Sequence, residues 1–255
     1  YTLKANRGVI LATGGFGSNQ DMVKQYNPEL VGYKSTDSVA DTGDGITMAI
    51  EAGAELVGME YIQTYPMCDV ISGGLLYVDD ARLYGYSIMV NKEGDRFVNE
   101  LGRRDVLSQA ILAQTGGVCY EVMDNDGWEQ ASIVQNHGGE VEYLTANKKL
   151  VKADTLDEAA DFFGIDKEEL AKTIATYNGY VDAGKDDDFD RLSMNMKIEN
   201  GPFYIVEATP AIHHTMGGVK INTEAEVIDT NGNVIPNLYA AGEVTGGIHG
   251  SNRLG

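Results

Sequence analysis

The stretch RGVILATGGFG, residues 7–17, restricts the possible folds of this chain more than any other segment. Its apolar run is short and ends in small residues and a glycine pair. Such a run suits a buried strand feeding a tight turn. The next periodic segment, DTGDGITMAIEAGAEL, reads as a helix. Asp41 or Thr42 stands where a side-chain cap would sit, Ile46, Ala49 and Ile50 share one face, and Gly53 supplies the stop.

From about Glu60 the character of the chain changes. SIMVNKEGDRFVNE reads as two short strands around a Lys-Glu-Gly turn. RRDVLSQAILAQTGG has helical spacing in the pairs Val106/Ala110 and Leu107/Ile111, and GVCYEVMD is a further strand. TLDEAADFFGIDKEELAKTIATYNGYVDAG gives two helices. The second opens on Asp166 with Glu169 in a capping-box-like spacing and buries Leu170, Ile174, Tyr177 and Val181. GKDDDFDR reads as an acidic, solvated loop. After about Phe203 strands return in YIVEATP, GGVKINTEAEVID and VIPNLYAAGE. An α/β segment, a mixed insertion and a return to β is the order expected of a nucleotide-binding domain interrupted by a cap.

Formal net charge is −20, from 39 acidic against 19 basic residues. This argues against nucleic acid and anionic membranes as partners, since both need basic surface. A small anionic substrate must therefore be held by a local cluster of cations. Cys68 and Cys119 are too far apart in sequence for metal-type spacing, and a disulfide framework is not expected. No run approaches the roughly 20 apolar residues of a membrane helix, and no signal-peptide pattern is present. The chain opens within a strand-like run and closes on a loop glycine, so it is expected to be a piece of a longer protein. Its compartment, cytoplasm or cell envelope, stays open.

Four stretches, GVILATGGFG, EGDRFVNE with the following RRD, IHHTMGGV and LYAAGEVTGGIHGSNRLG, together resemble the fumarate reductase flavoprotein family, including the urocanate reductases. The resemblance covers nearly the whole chain. It implies an FAD-dependent enoate reductase of bacterial anaerobic respiration. The implied fold class is α/β with an α+β cap: a Rossmann-like FAD domain split by a capping domain, with the family's active site between the two. Residues 1–59 would be a partial FAD-binding domain, 60–212 the cap, and 213–255 the returning FAD segment. The family's first G-x-G-x-x-G motif, which seats the FAD pyrophosphate on a helix N-terminus, is absent from these residues.

Reducing a carbon–carbon double bond beside a carboxylate needs a hydride at the β-carbon, a clamped carboxylate and a proton at the α-carbon. The resemblance distributes these tasks. Arg253, whose planar fork suits a carboxylate, and His213 bind the substrate, with His214 a structural neighbour. Arg104 matches the proton donor, with Arg103 adjacent to it. Arg82 and either Asp79 or Asp80 form the relay that resupplies the proton; Asp79 has the three-residue spacing and Asp80 stays possible. Tyr65 stands where fumarate reductases carry a histidine, and Val78 where they carry a threonine. An aromatic face suits a planar aryl or heteroaryl substituent better than a second carboxylate. The implied flavin contacts are Gly14, Gly15, Thr42, Gly43, Asp44, Glu243, Ser251, Asn252 and Leu254.

The expected substrate is a small α,β-unsaturated carboxylate of the urocanate or aryl-acrylate type, or fumarate. Electrons are expected from a donor domain or protein, with FMN or haem outside these residues. The competing readings are a related oxidase or dehydrogenase, such as an L-aspartate oxidase or ketosteroid dehydrogenase, and a cap fragment that holds no flavin.

Overall fold

The computed structural model describes residues 4–253. They fall into two compact units, Tyr1–Thr64 with Ala211–Gly255, and Tyr65–Pro210. In chain order the first unit supplies β1 (Val9–Leu11), α1 (Gln20–Tyr26), α2 (Asp44–Glu51) and β2 (Leu56–Val57). Strand β3 (Ile62–Cys68) leads into the second unit. That unit contains α3 (Asp80–Leu83), β4 (Ile88–Val90), α4 (Arg104–Leu112), β5 (Cys119–Met123), α5 (Asn125–Gln130), α6 (Ile133–Ala146), β6 (Leu150–Ala153), α7 (Leu156–Phe163) and α8 (Lys167–Ala183). Strand β7 (Phe203–Thr215) returns to the first unit, which closes with β8 (Gly218–Val219), β9 (Glu226–Ile228) and β10 (Val234–Ala240).

In the first unit β1 pairs in parallel with β10, Val9 opposite Leu238 and Leu11 opposite Ala240, and β10 pairs antiparallel with β9. The sequence suggests a fully buried β1. Instead, Val9 is 48% and Ile10 69% exposed, because β10 is the only strand paired with β1 among the described residues. Leu11 joins Phe16, Val23, Ile46, Ala49, Ile212, Val219 and Val244 in one core. Helix α2 does not use Asp41 or Thr42 as its cap. Its N-cap is Gly43, left-handed at φ 77°, and a Cβ there would collide with the Met22 sulfur. Ile46 and Ala49 are buried, but Ile50 is 47% exposed: this short helix buries only one narrow seam. Gly53 ends it as expected, left-handed at φ 92°, with Ala54 N–H reaching the Ala49 carbonyl at 2.9 Å. After β7 the pair Gly217–Gly218 is demanded by packing. A Cβ on Gly217 would strike the Met59 Cα, and one on Gly218 the Val244 carbonyl.

The second unit is built on a sheet ordered β3-β7-β5-β4, with β6 also on β7. Ile88 faces Val122 across β4/β5, and Cys119 and Met123 face Ala208 and Tyr204 across β5/β7. Strand alternation separates two cores. Met89, Cys119, Met123, Tyr204 and Val206 pack with Leu107, Ile111, Trp128, Ile133 and Leu144 from α4, α5 and α6. Ile88, Val90, Tyr120, Val122 and Ile205 pack with Ala159, Ala160, Leu170, Ile174 and Tyr177 from α7 and α8. The full capping box falls on α7, between Thr155 and Glu158. At α8 Asp166 accepts from Glu168 and Glu169 N–H at 3.1 and 3.0 Å, but the Glu169 carboxylate turns to Lys172 at 2.8 Å, so no box closes there.

Two expectations fail here for one reason. No second strand forms after β4, and the GKDDDFDR loop is not simply solvated, because both segments feed a buried ion network. Arg96 binds Glu100 through Nε and Nη2 at 2.8 and 2.9 Å and Asp186 through Nη2 at 2.8 Å. Arg191 reaches Glu100 at 3.2 Å and the Ser87 carbonyl at 2.8 Å. Asp186 and Arg191 are 1% and 2% exposed. Burial acts to raise the Asp186 carboxyl, yet the Arg96 guanidinium holds it below the usual range. Breaking a buried pair strands a charge at a cost of about 3–5 kcal/mol. Asp186→Ala is therefore expected to lower the unfolding free energy of this unit by about 3 kcal/mol in urea titration, with surface Asp187→Ala near zero.

Candidate active-site residues

Strand β7 is extended through both histidines, so their side chains leave on opposite faces. On one face His213 Nε2 lies 3.1 Å from Arg253 Nη2, and His213 Nδ1 lies 2.7 Å from the Thr36 hydroxyl. A guanidinium only donates. Nε2 is therefore the acceptor, and the neutral ring carries its proton on Nδ1 and donates it to Thr36. Thr36 is held in turn by its own N–H on the Ile212 carbonyl at 2.8 Å. Gln63 fixes the turn bearing Arg253 by donating to Asn252 Oδ1 at 2.6 Å and to the Arg253 carbonyl at 2.7 Å. Arg253 Nε is buried with no partner among the described residues. Nε and Nη2 form one edge of the guanidinium, so that edge keeps one unfilled donor beside the imidazole.

On the other face His214 Nδ1 lies 3.3 Å from Glu243 Oε1, which also accepts from Thr215 N–H at 2.7 Å and Thr215 Oγ1 at 2.9 Å. Burial works to raise the Glu243 carboxyl, but His214 and Thr215 hold it below its usual range. Burial and the Glu243 charge push Asp37 up to about 6 and raise Asp41. Gly15 packs directly here: a Cβ would run into Thr215 Oγ1 and the Glu243 carboxylate. Gly14, left-handed at φ 77°, leaves the matching space for Asp41. Asn19 Nδ2 holds the Thr42 carbonyl at 2.7 Å, Gly43 caps α2 and Asp44 starts it. A cavity of about 370 Å³ opens beside this cluster, lined by Ala240, Ala241, Gly242, Glu243, His214 and His249. Ser251 is exposed, Asn252 is tied to Gln63, and Leu254 lies outside the described residues.

In the second unit Asp79 and Arg82 form a two-point ion pair, Nε to Oδ1 at 2.5 Å and Nη2 to Oδ2 at 2.6 Å, with both side chains almost fully buried. The remaining Arg82 nitrogen, Nη1, donates to the Glu100 carbonyl at 2.5 Å. Burial raises the Asp79 carboxyl against the pull of Arg82, while Asp79 holds Arg82 firmly protonated despite burial. Asp80 points elsewhere, 3.3 Å from His137 Nε2 and partly exposed. The Tyr65 hydroxyl makes a long 3.4 Å contact to Asp79 Oδ2, and burial and Asp79 push that phenol up to about 12. The Arg104 guanidinium stands 4.8 Å from the centre of the Tyr65 ring, a cation–π contact worth about 0.5–2 kcal/mol. Arg103 turns out to an exposed ion pair with Asp105. Val78, fully buried, brings no hydroxyl to the pair.

Within the first unit the geometry thus joins His213 to Arg253, and within the second it joins Tyr65, Asp79, Arg82 and Arg104. It parts His213 from His214 and Asp79 from Asp80. Thr36 and Gln63 are missing from the sequence reading. Gln63 was accessible there, two residues before Tyr65 on an alternating strand, whereas nothing in the sequence marks Thr36.

A parallel strand running into a glycine turn, a second glycine turn bearing an acid, and an inserted α+β unit define an α/β cofactor-binding protein. The chain belongs to the FAD binding domain family, whose profile matches residues 1–255. It is 48% identical to the urocanate reductase of Eggerthella lenta over 100% of this chain and 42% of that protein. It is 46% identical to the NADH:acrylate oxidoreductase of Vibrio harveyi over 99% of this chain and 25% of the relative. Among solved structures it resembles the open conformation of a flavocytochrome c3 fumarate reductase, with a TM-score of 0.79 and 41% identity over 97% of this chain and 42% of that one. The chain therefore spans less than half the length of these relatives. The cavity beside Glu243, walled by alanines, a glycine and a histidine face, fits part of an FAD.

The tautomer of His213 is directly testable. Thr36→Val removes the acceptor of its Nδ1 proton and leaves the volume almost unchanged. We expect the ¹⁵N shifts of His213 to move from the Nδ1–H pattern, and Thr36→Ser to restore it.

Proposed function

We propose that this chain is part of an FAD-dependent reductase that adds hydrogen across the C=C bond of an α,β-unsaturated carboxylate. The observation that carries the reading is the Arg253 edge, with Nη2 on His213 and Nε buried without a partner among the described residues. A carboxylate takes up both donors of such an edge in parallel hydrogen bonds. It displaces the His213 ring from Nη2. Nε2 of His213 can then donate to the anion only after the ring gains a proton, while Nδ1–H stays on Thr36. Binding of the acid is thereby linked to proton uptake at His213. Bound FAD would supply the hydride for the β-carbon.

Arg104 gives the proton to the α-carbon. An arginine parts with a proton only where the resulting neutral guanidine is refilled at once. Asp79 is the refilling group, and Arg82 fixes it through two hydrogen bonds. Asp80, turned to His137, takes no part. The substituent at the far end of the substrate meets the Tyr65 ring and hydroxyl in place of a second cation. This favours a planar aryl or heteroaryl acrylate, of which urocanate is one, over fumarate. The names of the relatives, a urocanate reductase and an acrylate oxidoreductase, support an unsaturated carboxylate as substrate. An electron donor outside these residues reloads the flavin.

The test uses full-length, flavin-loaded protein reduced by viologen, with urocanate, cinnamate, acrylate and fumarate as acceptors. Urocanate or cinnamate should turn over best. Arg104→Lys should lower kcat by about 10²–10⁴ with little change in KM. Tyr65→His should move preference toward fumarate. Turnover of none of the four, or an Arg104→Lys variant as fast as wild type, overturns the proposal; an unchanged preference in Tyr65→His removes the substrate argument alone.

A further inference from the structure

Glu121 lies at the centre of β5, on the same sheet face as Cys119 and Met123. That face is the apolar core under α4, α5 and α6, and Glu121 is 0% exposed within it. The Ser87 hydroxyl donates to Oε1 at 2.6 Å, and the Arg82 backbone N–H is a further donor to the carboxyl. Oε2 has no partner among the described residues. The charged groups near it are Asp79 and Arg82, with Cys119 on its own strand. Its register partners on the flanking strands, Met89 and Val206, bring no charge.

Of the buried acids of this unit, Asp79, Glu100 and Asp186 each have an arginine partner. Arg96 serves Glu100 and Asp186, Arg191 adds to Glu100, and Arg82 gives Nε and Nη2 to Asp79 and Nη1 to a carbonyl. Asp69 and Asp124, also buried, are satisfied by backbone N–H groups. Glu121 remains, and among the described residues no arginine forms an ion pair with it. An unpaired ionised carboxylate in such a place costs several kcal/mol, so the group keeps its proton instead.

We propose that Glu121 is a positioning residue of the relay: it stands protonated and neutral, so that Arg82 serves Asp79 alone. The inference rests on the reductase reading only for what that relay feeds. When Glu121 ionises, a second carboxylate competes for Arg82, and the two-point pair that holds Asp79 in place loosens. Asp79 then no longer refills Arg104, and turnover falls. Burial and the Asp79 charge push the Glu121 carboxyl up to about 8, so this loss falls on the alkaline side of neutrality.

Full-length, flavin-loaded protein tests this in two arms. Infrared difference spectra between wild type and Glu121→Gln at neutral pH should show a protonated-carboxyl C=O band lost in the variant. In the kinetic arm, kcat of wild type should drop about fivefold in the first pH unit above the midpoint. Glu121→Gln, a permanent mimic of the neutral acid, should keep its neutral-pH kcat and lose that alkaline fall. Glu121→Asp should keep the fall. Absence of the band in wild type, an unchanged alkaline limb in Glu121→Gln, or a large loss of its kcat at every pH each overturns the proposal. The infrared arm needs no turnover. A protein that shows the band yet reduces no enoate sinks the reductase reading and leaves the protonation of Glu121 standing.

Discussion

Neighbouring side chains on an extended strand cannot face the same way, and in β7 that constraint decides what each histidine can do. His213 goes to Thr36 and Arg253, and His214 goes to Glu243. The strand has little freedom to slip. It holds β5 and β6 by backbone registers that run from Phe203 to Ala208, and a one-residue shift would put Ile205 and Val206 into each other's cores. The glycines that follow tighten it further, since no side chain fits where Gly217 and Gly218 meet Met59 and Val244. The imidazole that faces Arg253 is thus fixed within its own unit by packing at Gly217 and Gly218.

What could be read from the sequence was whatever local periodicity or a specific motif spells out. The stripe Leu170, Ile174, Tyr177 is buried as its spacing demands, with Val181 at its margin. The three-residue separation of Asp79 and Arg82 matches the helical turn on which they pair. Residues whose role depends on distant partners gave no such signal. Asp186 and Arg191 sit in a run that looks like solvated surface, and only the folded position of Arg96 makes them interior. Glu121 carried a faint one: a lone acid among apolar neighbours in CYEVM, at an inward position of a strand buried on both faces. Thr36 carried none, because a threonine in a polar loop is ordinary until Ile212 draws the loop to β7.

The second unit buries Arg82, Arg96 and Arg191 with the carboxylates of Asp79, Glu100 and Asp186. Replacing a buried ion network by well-packed apolar side chains is often neutral or stabilising, so such networks are poor evidence of a stability role. Here each guanidinium also ties a loop. Arg96 ties the segment after β4 to the segment after α8, and Arg191 ties that second segment to the Ser87 carbonyl. Ser87 in turn binds Glu121. The chain of contacts ends at the Asp79–Arg82 pair, whose geometry is therefore set by several loops at once. That is the arrangement expected where a carboxyl must be held at a fixed place and charge.

The position of Arg104 shows why such support is needed. It is the first residue of α4, where unsatisfied N–H groups make a positive helix end that disfavours a cation by about 0.3–1 kcal/mol. The Tyr65 ring face attracts the same guanidinium by about 0.5–2 kcal/mol. The two effects nearly cancel, and neither approaches the roughly 7 kcal/mol that separates an arginine from proton release near neutral pH, at 1.36 kcal/mol per pH unit. Neither of these two effects makes Arg104 an acid. In the proposed reaction the required energy comes from the charge that develops on the substrate and from a carboxyl that refills the guanidine, which ties the rate to the Asp79–Arg82 pair and to Glu121 behind it.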